Sequence, residues 1–300
     1  MSLAYAVYDV FTDQRFAGNP LAVVFDADML DDAAMAAIAR EFNLSETIFF
    51  SAAVSRTHSA AARIFMPGGE LPFAGHPTVG GAIALAERDG GPDDRLMVIE
   101  EAIGPVRVAL HGGEVPYAEF DLPRLPEAQQ AVLNEGAVAV ALGLAPSDIG
   151  FENHRVSQWS AGNPFLCVPL AGLDAMARAR FDMAAWLAHF PGQDPLDVIC
   201  PYLYCRDTVA HDAAFHARMF GPHHGILEDP ATGSAAAAFA GAVHHFDGLA
   251  EGPNALWIEQ GVEMGRPSRI RLEITGRDGA IDAARIGGHA VKVAEGRLTV

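Results

Sequence analysis

The stretch Leu227–Val243, LEDPATGSAAAAFAGAV, sets an acidic pair, a proline and a Gly-Ser step at the mouth of a helix made of alanine and other small apolar residues. A helix that is apolar all round has no face to give to water and belongs inside a core. Its first turn carries backbone N–H groups without intrahelical partners, so a buried start needs a cap or a ligand. Glu228, Asp229, Gly233 and Ser234 stand at that start. They are therefore candidates either for capping or for holding something in a pocket.

The same arrangement occurs earlier in the chain. ELPFAGHPTVGGAIALA (Glu70–Ala86) matches EDPATGSAAAAFAGAV (Glu228–Val243), with Glu70, Pro72 and Gly75 in register with Glu228, Pro230 and Gly233, and His76 opposite Ser234. AGNPLAVV (Ala17–Val24) recurs as AGNPFLCV (Ala161–Val168), and ARIF (Ala62–Phe65) as ARMF (Ala217–Phe220). Three matches in one order point to an internal duplication. Alternation and β-branched or aromatic content predict strands in both halves. The expected strands are AYAVYDVF, LAVVFD, TIFFSAA, AARIFMP, LMVIEE, PVRVAL and YAEFDL, then PFLCVP, LDVICPYLYC, AAFHARMF, ALWIEQ, RIRLEIT and AIDAARI. Helices are expected from Asp31, from near His76 with Pro77 at the first helical position, over FDMAAWLAHF, and over Ala235–Val243. The double-proline segment Asp121–Gln130 reads as the linker. This gives an N-terminal domain of residues 1–122 and a C-terminal domain of 123–286, with the last strand, 287–300, crossing back to the first. Each is an α+β unit, a mostly antiparallel sheet around one apolar helix, and the two are expected to face each other across a cleft.

Composition narrows the partners. Half of the 300 residues are hydrophobic and 19% are charged, which suits sizeable cores. Lys and Arg total 20 against 38 for Asp and Glu, a net charge of −18. That excludes nucleic acid or an anionic membrane as the main partner; an anionic substrate must be held by local dipoles. The N-terminus carries no basic region followed by an apolar run, so a cytoplasmic protein is expected. Cys167, Cys200 and Cys205 are odd in number and read as buried structural thiols. No Gly-x-Gly-x-x-Gly or Gly-Lys-Ser/Thr motif occurs, which points to chemistry without a nucleotide cofactor, and no histidine cluster completes a metal triad.

SETIFF, ELPFAGHPTVGGA and EDPATGSAAAA, with NPLAVVFDA near the start and RIGGHAVKVAEGRL near the end, resemble the phenazine-biosynthesis isomerase (PhzF-like) family, which is similar in fold to diaminopimelate epimerase. The resemblance covers essentially the whole chain. It implies two pseudo-symmetric domains, a homodimer, and a general acid/base glutamate at Glu46. It also implies functional roles for Gly75, His76, Asp229 and Ser234, and an isomerisation such as that of trans-2,3-dihydro-3-hydroxyanthranilate. The residue chemistry is compatible. Glu46 opens an apolar strand, where partial desolvation raises a carboxylate towards a useful pKa. His76 and Asp229 stand at matching turns and suit hydrogen bonding or proton relay. Gly75, Gly233 and Ser234 put two helix starts in position to bind a carboxylate. The bland readings are that His76 and Ser234 are helix N-caps, that Asp229 is a cap or Asx-turn residue, and that Glu46 pairs at a strand start. His223 and His224 are weaker candidates to line the cleft, and His244 and His245 read as helix-end residues. A two-thiol racemase is disfavoured, because the matched helix starts carry no cysteine. The remaining alternative to a cofactor-independent isomerase is a non-catalytic binding protein on the same scaffold.

Overall fold

The computed structural model describes residues 2–91, 93–130, 134–192 and 198–300. The first two residues of the strand expected at Leu196 and the side chain of His224 lie outside that description. The chain divides into two compact units, Met1–Pro123 with Ile286–Val300, and Arg124–Arg285.

In the first unit the elements run β1 (Ser2–Val10), β2 (Asn19–Val24), α1 (Asp32–Phe42), β3 (Glu46–Ser51), β4 (Ala60–Met66), β5 (Gly69–Leu71), α2 (Gly75–Arg88), β6 (Arg95–Glu101), β7 (Gly104–His111) and β8 (Tyr117–Asp121). The second has β9 (Glu127–Ala128), α3 (Glu135–Ala141), β10 (Ser157–Ser160), β11 (Pro164–Pro169), α4 (Leu173–Arg178), α5 (Met183–His189), β12 (Cys200–Cys205), β13 (Phe215–Gly221), β14 (Ile226–Asp229), α6 (Gly233–Asp247), β15 (Gly252–Gln260) and β16 (Ser268–Arg277). A final strand, β17 (Ala280–Thr299), begins in the second unit and ends in the first. AIDAARI and the closing strand are thus one continuous element.

The first unit closes on itself. β1 pairs antiparallel with β2, β2 parallel with β3, β3 antiparallel with β4, and β4 parallel with β6. β6, β7 and β8 then run antiparallel, β8 pairs with β17, and β17 returns to β1. α2 packs against β1, β2, β3, β6, β7 and β8, and every residue from Gly75 to Ala86 is buried. Its apolar circumference is what that environment requires. A Cβ on Gly80 would sit 2.5 Å from Val10 Cγ2, so glycine sets how closely helix and sheet approach.

The second unit repeats the pairing order. β10 pairs antiparallel with β11, β11 parallel with β12, β12 antiparallel with β13, β13 parallel with β15, and β15 antiparallel with β16. α6 packs against β9, β10, β11 and β16, buried from Ala235 to Val243. β9 lies within the segment read as a plain linker and pairs with Trp159 and Ser160 at the edge of β10.

Side-chain devices recur at matching places. Arg63 forks onto Glu70 through Nε and Nη2 and lies over the Phe65 ring; Arg218 does the same with Glu228 and Phe220. Glu100 accepts the Val54 and Ser55 N–H groups and contacts His58, while Glu259 accepts those of Val209 and Ala210 and contacts His216. Two consecutive N–H donors satisfy a carboxylate that would otherwise pay heavily for leaving water.

Candidate functional site

The sequence candidates fall into one group per unit. In the first, Glu46 opens β3 opposite Leu21 of β2. α2 begins at Gly75, so His76 is its second residue and Pro77 its third, two positions beyond the first helical position expected for the proline. The N-cap is Ala74, which offers no side-chain hydrogen bond; His76 is therefore not a cap. Its ring is buried, with Nδ1 3.2 Å from Glu46 Oε2 and Nε2 without a hydrogen-bond partner among the described residues. Burial pushes its pKa down to about 3, so the imidazole is neutral at ordinary pH. A neutral ring beside a carboxylate does not fix it as one half of a charge pair, which leaves Glu46 able to take up a proton.

In the second unit, Asp229 ends β14 and is not the cap of the helix that follows. It is buried, and its Oδ2 accepts a hydrogen bond of 2.6 Å from Thr232 Oγ1. Thr232 is the N-cap of α6, again without a side-chain cap bond; Gly233 and Ser234 are the first and second helical residues. Ser234 thus matches His76 in position, and it too is not the cap. Glu228, next to Asp229 in sequence, is held by Arg218. The acidic pair Glu228-Asp229 splits into a structural member and a site candidate.

The sheet register adds a comparison that sequence matching missed. Leu21 of the first Asn-Pro block faces Glu46, and its counterpart Phe165 faces Cys200. Where one unit carries a carboxylate, the other carries a thiol. Burial pushes that thiol up to about 12, and His223 Nε2, 3.5 Å away, also contacts the Val198 carbonyl at 2.9 Å. Cys167 and Cys205 are buried as well, and both thiols are raised by desolvation.

Thr78, Glu101, Thr232 and Gln260 were not legible as site neighbours. Thr232 lies inside the quoted motif, three residues after Asp229. For Glu101 and Gln260 a signal existed: Ile99-Glu100-Glu101 recurs as Ile258-Glu259-Gln260. Both reach the start of their unit's central helix, Glu101 through Thr78 and Gln260 through Thr232. His244 and His245 lie in the last turn of α6.

Another polar cluster, Glu152, His154 and Asp247, has metal-like spacing. Arg206 Nη2 bonds Asp247 and lies 3.3 Å from His154 Nε2, so a guanidinium already supplies the positive charge there. The described helices include none long and apolar enough to cross a membrane.

Comparison with known proteins gives the family and the fold. The family model described as phenazine biosynthesis-like protein matches residues 8–296. An uncharacterised isomerase of Mesorhizobium japonicum is 57% identical, the match covering 99% of this chain and 98% of that protein. The trans-2,3-dihydro-3-hydroxyanthranilate isomerase of Pseudomonas aeruginosa is 35% identical, covering 98% of each. The crystal structure of a Bacillus anthracis phenazine biosynthesis protein of the PhzF family superposes with a TM-score of 0.90 over the whole of both chains; at 24% identity this is a likeness of fold. The chain belongs to the phenazine biosynthesis-like (PhzF) family and is an isomerase.

Proposed function

We propose that this isomerase moves a proton on a small carboxylate-bearing substrate without a cofactor, with Glu46 as the proton carrier. The observation that carries the reading is the Glu46 carboxylate, at the start of β3, 3.2 Å from a buried His76 in the first turn of α2 that burial keeps neutral. Glu46 takes the proton from carbon and returns it at another atom of the same molecule. His76 orients the carboxylate and hydrogen-bonds the substrate. Asp229 orients or polarises substrate polar groups, and the helix starts at Gly75 and at Gly233-Ser234 hold the anionic end through N–H groups and dipole. These dipoles supply local positive potential in a chain of net charge −18.

The matching pairing order and the paired Arg–Glu and Glu–N–H devices support descent of the two units from one duplicated ancestor. The reading takes the chain as a cytoplasmic homodimer, which light scattering in solution checks. trans-2,3-Dihydro-3-hydroxyanthranilate is the first compound to try, since the Pseudomonas aeruginosa relative is named for it. The test is NMR detection of deuterium uptake from heavy water. Wild type and Glu46→Gln are compared on that compound and a panel of small hydroxy and amino acids. Exchange lost in the variant supports the reading. Exchange or isomerisation that survives removes Glu46 as the obligatory carrier, and wild-type protein that binds a compound with neither exchange nor isomerisation is a binder of it only.

A further inference from the structure

Gln260 is fully buried at the end of β15, and its amide has only one chemically consistent orientation. One end lies 2.8 Å from the Asp229 carbonyl oxygen, which only accepts; the other lies 3.2 Å from the Thr232 N–H, which only donates. The first end is therefore the NH2 group and the second the oxygen. That same NH2 group is 3.0 Å from Thr232 Oγ1 and donates to it. A hydroxyl has one hydrogen. With its oxygen already receiving from Gln260, Thr232 turns that hydrogen onto Asp229 Oδ2, 2.6 Å away. The chain of hydrogen bonds runs one way, from amide to hydroxyl to carboxylate. Asp229 and Thr232 are buried too, so water does not compete freely for these groups.

We propose that Gln260 and Thr232 are positioning residues that hold Asp229 in one rotamer, with Oδ2 fixed as a hydrogen-bond acceptor. This rests on the reading that Asp229 acts on the substrate. The first unit uses the matched position differently: Glu101 stands where Gln260 does and meets Thr78 rather than an aspartate. The amide is thus specific to the unit that carries Asp229. Gln260 also ties Asp229 to Thr232 through the backbone, so the loop between β14 and α6 is held by the same side chain that polarises the hydroxyl.

The test compares Thr232→Val, Thr232→Ser, Gln260→Glu and Asp229→Asn in the full-length protein. In the exchange assay, Thr232→Val lowers kcat roughly tenfold or more and leaves KM within about threefold, because the loss falls on an oriented group rather than on uniform binding. Thr232→Ser restores kcat to within about threefold, since it keeps the hydroxyl. Gln260→Glu lowers kcat likewise, and its combination with Thr232→Val costs little beyond the single variant, because both break one chain. A readout free of substrate accompanies these. In protein labelled with 13C at the aspartate carboxyl carbons, the resonance that disappears in Asp229→Asn moves in Thr232→Val and returns in Thr232→Ser. An unmoved resonance overturns the proposal. So does Thr232→Val with wild-type kcat beside an inactive Asp229→Asn, and in that case the role of Asp229 stands. A fully active Asp229→Asn removes Asp229 from the reaction and with it the reading on which the proposal rests. If Thr232→Val fails to fold, Gln260→Glu and Thr232→Ser decide by the same measures.

Discussion

Glu101→Gln should make this protein more stable at neutral pH. Thr78 Oγ1 lies 2.8 Å from the Ala74 carbonyl and 2.8 Å from Glu101 Oε1. Both are acceptors when Glu101 is ionised, and the hydroxyl has a single hydrogen. The geometry is satisfied when Glu101 carries a proton and donates to Thr78, which donates to Ala74. Burial acts in the same direction and pushes the Glu101 pKa up to about 8. For an acid raised on folding, the native state holds a proton that the unfolded chain releases from about pH 4.5 upward. Stability therefore falls with rising pH until the folded value is reached. From 4.5 to 7, at about 1.36 kcal/mol per pH unit, the cost is about 3 kcal/mol. Glutamine donates to Thr78 without ionising, though its second amide hydrogen left without a partner costs about 1 kcal/mol. The net gain is about 2 kcal/mol at pH 7, close to nothing at pH 5, and largest near pH 8. Urea unfolding followed by circular dichroism at pH 5, 6, 7 and 8 measures it. A gap between variant and wild type that does not grow with pH, or a variant less stable at pH 7, refutes the reasoning.

The remaining expectations concern other parts of the frame. A Cβ at Gly241 would lie 2.2 Å from Trp159 Cε3, so Gly241→Ala destabilises by about 1–3 kcal/mol, read as a lower urea midpoint with unchanged m. His216 is clamped between Glu259 at 2.7 Å and Glu263 at 3.0 Å. Burial pulls its pKa down, but the two carboxylates outweigh burial and lift it to about 9. That stabilisation is complete below about pH 6.5 and is lost as pH rises through 9. His216→Gln therefore costs most at pH 6 and progressively less towards pH 10, and a difference constant across that range counts against the charged clamp. Cys200→Ala leaves proton exchange within about twofold of wild type, because a desolvated thiol is a poor base; a loss approaching that of Glu46→Gln contradicts this.

Several of these groups were legible from sequence and others were not, for reasons of range. The two apolar helices announced themselves because burial on all sides leaves no polar face. Glu46, His76 and Asp229 could be singled out as candidates because each sits in a short block that carries the family resemblance. β5, β10 and β14, of three and four residues, are too short to show alternation, and α3 and α4, of seven and six, barely complete a helical period. Pro77 was placed two residues early because the helix starts at glycine rather than at proline. The role of Glu228 was hidden because its partner, Arg218, lies on the neighbouring strand ten residues back. Gln260 lies still further along the chain from Asp229, and only sheet register puts the two together.

Matched positions separate what holds each unit from what the proposed reaction would use. The Arg–Glu forks and the Glu–N–H clamps are the same in both, as parts of the frame should be. The differences gather elsewhere: Glu46 against Cys200, His76 against Ser234, Glu101 against Gln260. A racemase must take a proton from either face of one carbon and is served by two bases of similar kind. A shift of one proton from one atom to another is served by one carrier with unlike partners. The inequality of the two units at these positions is therefore what the proposed reaction calls for. It also fits a desolvated thiol at position 200 in one unit and, in the other, a carboxylate at position 46 that keeps some access to solvent and has a neutral imidazole next to it.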